Sequence, residues 1–158
     1  MSFELQDEVF AAVDTIEEII HSEVGKKKFR NLFKIDPEFY KKKGIEINLI
    51  IAQRFCKKKH LPKITSFLST RSIEVEGHGE ISDPLEVIKL CCSQKEDYLP
   101  SKLPMAEKIF RVFLKNGNIP LNTYQIGREL GCGNFREYQY IYDLLSNDEF
   151  YGFTLVKE

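Results

Sequence analysis

Asn122 with Gln125, and Asn134 with Glu137, each set a short polar acceptor three residues ahead of a Gln or Glu, the pattern by which a helix start satisfies its own orphan N–H groups. Two such starts this close force the chain to end one helix and begin another, and Gly131 stands where the first must stop. Leu121 and Ile126 sit where a hydrophobic staple would close the first start. Upstream, Met105, Ile109, Val112 and Phe113 recur at helical spacing until Asn116-Gly117-Asn118. Downstream, Tyr138, Ile141, Leu144 and Leu145 give the last helix an apolar side, and Phe150 to Val156 is β-prone, with Gly152 as a bulge or turn. Ile109, Phe113, Ile126, Leu130, Ile141 and Leu145 are expected to share one core.

Helix, helix, tight glycine turn, helix and strand resembles a winged helix-turn-helix over roughly residues 104–158, a superfold that names no particular family. The remainder reads as helical. Leu5, Val9, Val13, Ile16, Ile20 and Val24 predict an acidic amphipathic helix, and Phe29, Leu32 and Phe33 suggest a further helical turn. Asp36-Pro37 reads as a cap and first helical residue, with Gly44 as the stop. Ile45 to Ile51 fits strand or helix; helix to about His60 is preferred. Pro62 ends it, Ile64 to Leu68 is a short helix, Ile73 to Ile81 a hairpin, and Asp83-Pro84 opens a helix through Cys92. The fold class expected is mainly α with a small β component. A helical domain over 1–95, which could hold a second helix-turn-helix with the hairpin at 73–81, precedes a winged-helix-like domain over 104–158, and Ser93 to Pro104 links them.

Net charge is only −1, but it is segregated. Residues 1–25 carry seven acids and no Lys or Arg, whereas residues 26–63 carry thirteen Lys/Arg against three acids. The basic set Lys26, Lys27, Lys28, Arg30, Lys41, Lys42, Lys43, Arg54, Lys57, Lys58, Lys59 and Lys63 is interleaved with Phe29, Phe33, Phe39, Tyr40 and Phe55. Such an excess suits phosphate contacts on DNA or RNA, and exceeds what complementing helix ends requires. The last helix instead offers Arg136, Glu137, Gln139, Tyr140 and Asp143, which would be repelled in a groove, so residues 104–158 are expected to meet a protein partner. The expected function is a nucleic-acid-binding regulatory or accessory protein; the alternative is an adaptor whose lysines meet an acidic protein or its own first helix. No apolar run reaches a membrane span and the N-terminus lacks a basic signal region, so no membrane partner and an intracellular site, cytoplasmic or nuclear, are expected.

Two chemical readings remain. Arg54-Phe55-Cys56-Lys57-Lys58-Lys59-His60 resembles the Arg-x(4–6)-His motif of metal-independent HEPN ribonucleases, a resemblance that implies Arg54 and His60 acting on an RNA phosphodiester, although Phe55 departs from the polar residue common there. Cys56 and His60, four apart, could share a helix face and join His78 and Cys91 or Cys92 around zinc. The four cysteines form no CxxC pair, so reduced, buried thiols are expected, with no metal, no cofactor and no catalytic residue.

Overall fold

The central strand of the larger sheet comes from the segment whose spacing suggests a helical turn. The computed structural model describes residues 27–157, and the acidic helix expected over the first 24 residues, together with Lys26, lies outside them. Strand β1 (Leu32–Ile35) pairs antiparallel on one side with β4 (Leu121–Asn122) and on the other with β5 (Phe153–Leu155). Phe29, Leu32 and Phe33 fit a helical period, but pairing on both edges satisfies the β1 backbone. The alternation of β1 also buries Phe33 and Ile35 while Leu32 and Lys34 stay partly exposed. Partners distant in sequence decided this, which a local spacing cannot show. Asn118, at φ 57°, extends the ladder with a side chain: its Oδ1 accepts from Ile35 N–H at 2.9 Å and its Nδ2 donates to Ile35 O at 2.8 Å.

Helix α1 (Pro37–Lys42) starts as expected, with Asp36 accepting from Glu38 N–H at 3.0 Å, and ends at Gly44, φ +70°. Helix α2 (Ile47–Ala52) stops well before His60. A continued helix would fan Lys57, Lys58 and Lys59 over about 200° of its circumference and drive one of them inward. Successive turns instead keep all three exposed while Phe55 and Cys56 are buried, and His60 and Leu61 N–H both donate to Cys56 O, at 3.1 and 2.9 Å. A 3₁₀ turn (Leu61–Lys63), α3 (Ile64–Thr70) and the hairpin β2 (Ile73–Val75) and β3 (Gly79–Ile81) follow, then α4 (Pro84–Leu90) and a 3₁₀ turn (Cys92–Gln94).

The last third is α5 (Met105–Lys115), β4, α6 (Thr123–Glu129), α7 (Phe135–Ser146) and β5. The first capping box is complete: Asn122 Oδ1 accepts from Gln125 N–H at 2.9 Å and Gln125 Oε1 accepts from Asn122 N–H at 2.8 Å. The second is shifted by one residue, since Glu137 accepts from Gly133 N–H at 2.8 Å. Ile109, Phe113, Ile126, Ile141 and Leu145 are buried together and Leu130 packs against them.

The chain is thus mixed α/β, with seven α-helices and two small antiparallel sheets among the described residues. One core cluster runs from Phe33 through Val87 and Ile88 to Phe110 and Phe153. The segment expected to link two domains is docked: Tyr98 is buried, its OH donates to Arg111 O at 2.6 Å and its carbonyl accepts from Arg111 Nη1 at 2.9 Å. Residues on both sides of it, from Phe33 to Cys92 and from Ile109 to Phe153, belong to the same core cluster. No helix among the described residues is long and apolar enough to cross a membrane.

Gly127 marks the closest approach of α6 and α7, because a Cβ there would overlap the Tyr138 ring. Gly127→Ala is expected to destabilise the fold by about 1–3 kcal/mol through overpacking. Its urea midpoint should fall, and Tyr138→Leu in the same chain should recover part of the loss.

Candidate metal centre and basic face

The turn after α2 and the end of α4 bring four metal-ligating side chains to one point. The donor atoms of Cys56, His60, Cys91 and Cys92 all lie within 4.8 Å of one another. Cys56 Sγ is 3.3 Å and Cys92 Sγ 3.8 Å from His60 Nδ1. The turn that closes on Cys56 O sets its thiol beside the His60 ring, and the backbone at Cys91 (φ −133°, ψ −66°) leaves the helical path, so the two adjacent cysteines converge. Cys56 N–H donates to Cys92 Sγ at 3.1 Å. Cys56, His60 and Cys92 are buried and Cys91 is partly exposed.

Burial pushes the Cys91 and Cys92 thiols up, and the charge of a neighbouring Cys56 thiolate would push them further. His60 is held below the usual imidazole range, first by burial and then by Lys63, Lys59 and Lys95, against a hydrogen bond to the Glu74 backbone that opposes this. Its Nδ1 faces the sulfurs. The scattered spacing and the lack of a CxxC pair argued against a metal centre in the sequence; the fold nonetheless brings Cys56 and His60 together with both Cys91 and Cys92. His78, the further ligand considered, is exposed in the hairpin turn and stands outside the cluster.

Beside the cluster lies a cleft of about 540 Å³ that Cys91 and His60 share with Lys58, Lys59, Lys63 and Lys95. Glu74 and Glu76 also line it, and Lys59 pairs with Glu76 at 3.1 Å, an exposed contact of small energetic weight. Lys95 was not foreseen, because it follows Cys92 in a stretch with acids close behind it. The other basic residues lie elsewhere. Lys27, Arg30, Lys41, Lys42 and Lys57 are exposed. Lys28 lies 5.1 Å from the centre of the Tyr142 ring, and Lys43 lies 4.2 Å from that of Phe39 while donating to Glu149 O at 3.3 Å.

Arg54 does not face solvent. It donates through Nε and Nη2 to both Glu107 oxygens, at 2.9 and 2.8 Å, and through Nη1 to Ile50 O at 2.7 Å. Its guanidinium stacks 4.6 Å from the Phe110 ring. Arg111 Nε and Tyr151 OH also donate to the Glu107 carboxylate, at 2.9 and 3.1 Å. Three of the five Arg54 N–H donors are so committed, which holds the guanidinium against Glu107 and the Ile50 carbonyl. With His60 against Cys56, the arginine and histidine of the ribonuclease-like spacing have separate partners. Comparison with protein-family models, curated proteins and solved structures gives no match.

Burial alone would raise the Glu107 carboxyl, but the hydrogen bonds from Arg54 and Arg111 outweigh it and hold the group below the usual carboxylate range. A group depressed in the folded state contributes fully above its unfolded value, and the contribution is lost as pH falls through the folded one. Glu107→Gln should therefore cost about 3 kcal/mol at neutral pH, as a broken buried pair does. Urea midpoints measured from neutral to acid pH should fall more steeply for the wild type than for the variant.

Proposed function

We propose that this chain is a non-enzymatic nucleic-acid-binding accessory protein that holds phosphates on a lysine-rich face. The observation that carries the reading is the convergence of Lys58, Lys59, Lys63 and Lys95 on one cleft, set against two glutamates of which one is already paired. Among the described residues no Phe or Tyr lines this cleft, so it offers charge without a stacking platform. That combination suits contacts to the sugar-phosphate backbone that do not read base sequence. The exposed Lys41 and Lys42 on α1, and Lys57 ahead of the cleft, would add to the same long-range attraction.

The unit over residues 104–158 is read as winged-helix-like. Its support is the order α5, β4, α6, α7, β5, with β1 completing the small sheet. The acidic residues of α7 are committed locally, Glu137 to Gly133 and Asp143 to Gln139. That face therefore suits a protein partner better than a phosphate backbone, and the exposed Tyr140 and Phe150 of this unit favour the same use.

The test is fluorescence anisotropy with mixed-sequence DNA and RNA, single- and double-stranded, over a series of salt concentrations. The expected result is an affinity that falls linearly in log–log form with salt and differs little between sequences. Replacing Lys57, Lys58 and Lys59 by Gln should flatten that slope by roughly one unit for each phosphate no longer neutralised, with little change in stability. A wild-type chain that binds none of these probes at physiological salt would remove the reading and leave the adaptor.

A further inference from the structure

We infer that Cys56, His60, Cys91 and Cys92 bind one zinc ion in a closed, four-coordinate centre that staples the turn after α2 to the end of α4. The inference rests on the donor set alone and is independent of nucleic-acid binding. Zinc held by thiolate sulfur and imidazole nitrogen in a tetrahedron sets its donors about 3.6 Å apart for sulfur and nitrogen, and about 3.8 Å apart for two sulfurs. The distances from His60 Nδ1 to Cys56 and Cys92, 3.3 and 3.8 Å, already bracket the first of these edges, and no donor pair in the set exceeds 4.8 Å. Contraction by about an ångström at the widest pair completes the shell.

The chemistry of the set selects the ion. Three thiolates and one imidazole are too soft and too few in oxygen for magnesium or calcium, and tetrahedral S₃N suits zinc. Four protein donors leave no open position, so the centre is structural rather than catalytic. Binding is balanced by three protons: each thiol loses its proton to solvent as its sulfur bonds the ion, while the neutral ring donates its Nδ1 lone pair. Zn²⁺ with three thiolates leaves the site one negative charge, and Lys58, Lys59, Lys63 and Lys95 line the cleft that opens beside it.

Two outer contacts fit that state. Cys56 N–H already donates to Cys92 Sγ at 3.1 Å, as backbone amides do to metal-bound thiolates. The Glu74 backbone acts on the His60 ring as a hydrogen-bond partner, and a proton held toward it on Nε2 would leave the Nδ1 lone pair for the ion.

The full chain, purified in reductant without added metal, is expected to carry about one zinc per molecule by elemental mass spectrometry, and the Cys56→Ser/Cys92→Ser double variant below about a tenth of that. His78→Ala should keep its zinc. Exchange of cobalt into the wild type should give the intense visible bands of a tetrahedral ion and a thiolate charge-transfer band, which reads coordination without requiring any variant to fold. Stripping zinc from the wild type with a chelator should lower its thermal midpoint, and returning zinc should restore it. Wild-type protein that carries no zinc and gives no tetrahedral cobalt spectrum would overturn the inference. So would a disulfide joining Cys56 to Cys91 or Cys92 in the protein as isolated, or a zinc content unchanged by the double substitution.

Discussion

One carboxylate, that of Glu107, holds three separated pieces of the chain in register. Arg54 reaches it from the turn after α2, Arg111 from one helical turn along α5, and Tyr151 from the approach to β5. A carboxylate this far from water costs several kcal/mol unless its lone pairs are filled, so the arrangement is satisfied as a whole or not at all. Its neighbours are fixed in turn. Asp148 accepts from the N–H groups of Phe150, Tyr151, Gly152 and Phe153, shaping the turn that delivers Tyr151, and Tyr40 OH donates to Tyr151 O at 2.7 Å. Arg111 also clasps Tyr98, so the stretch between α4 and α5 is held against the same helix.

This clamp decides where the candidate site begins. Helix α2 ends at Ala52, Arg54 is drawn inward just beyond it, and two residues later Cys56 enters a buried turn facing the end of α4. The lysines that follow stay exposed, since a buried ammonium would need a partner that this turn lacks. A loop anchored by an ion pair at one end and by a thiol and imidazole cluster at the other has little freedom between. Lysines carried on such a loop hold a defined spacing, and the proposed phosphate contacts would forfeit less side-chain and backbone entropy there than on a loose tail.

Local signals were legible in the sequence wherever neighbours in the chain satisfy one another. The box at Asn122 and Gln125, the Asp36-Pro37 and Asp83-Pro84 starts, the stops at Gly44 and Gly131 and the hairpin at 73–81 all depend on residues within a few positions. The core face of the last three helices was legible for the same reason, since a 3.6-residue period reports which side is buried. The short α2 and the docked segment around Tyr98 were not, because both follow from partners far along the chain. The same holds for Arg54: type and position marked it as a phosphate contact, and only Glu107 makes it a core residue.

By itself the sequence determined the capped helix starts and glycine stops, the apolar faces of the last three helices, the segregation of charge and the supply of thiols and imidazoles, all of which are properties of residue type and short spacing. Tertiary structure alone decided that Leu32–Ile35 is a central strand, because a strand exists only through the hydrogen bonds of the strands beside it. It alone decided that Cys56 and His60 meet Cys91 and Cys92, because two segments more than thirty residues apart come within bonding reach only when the helices between them have packed.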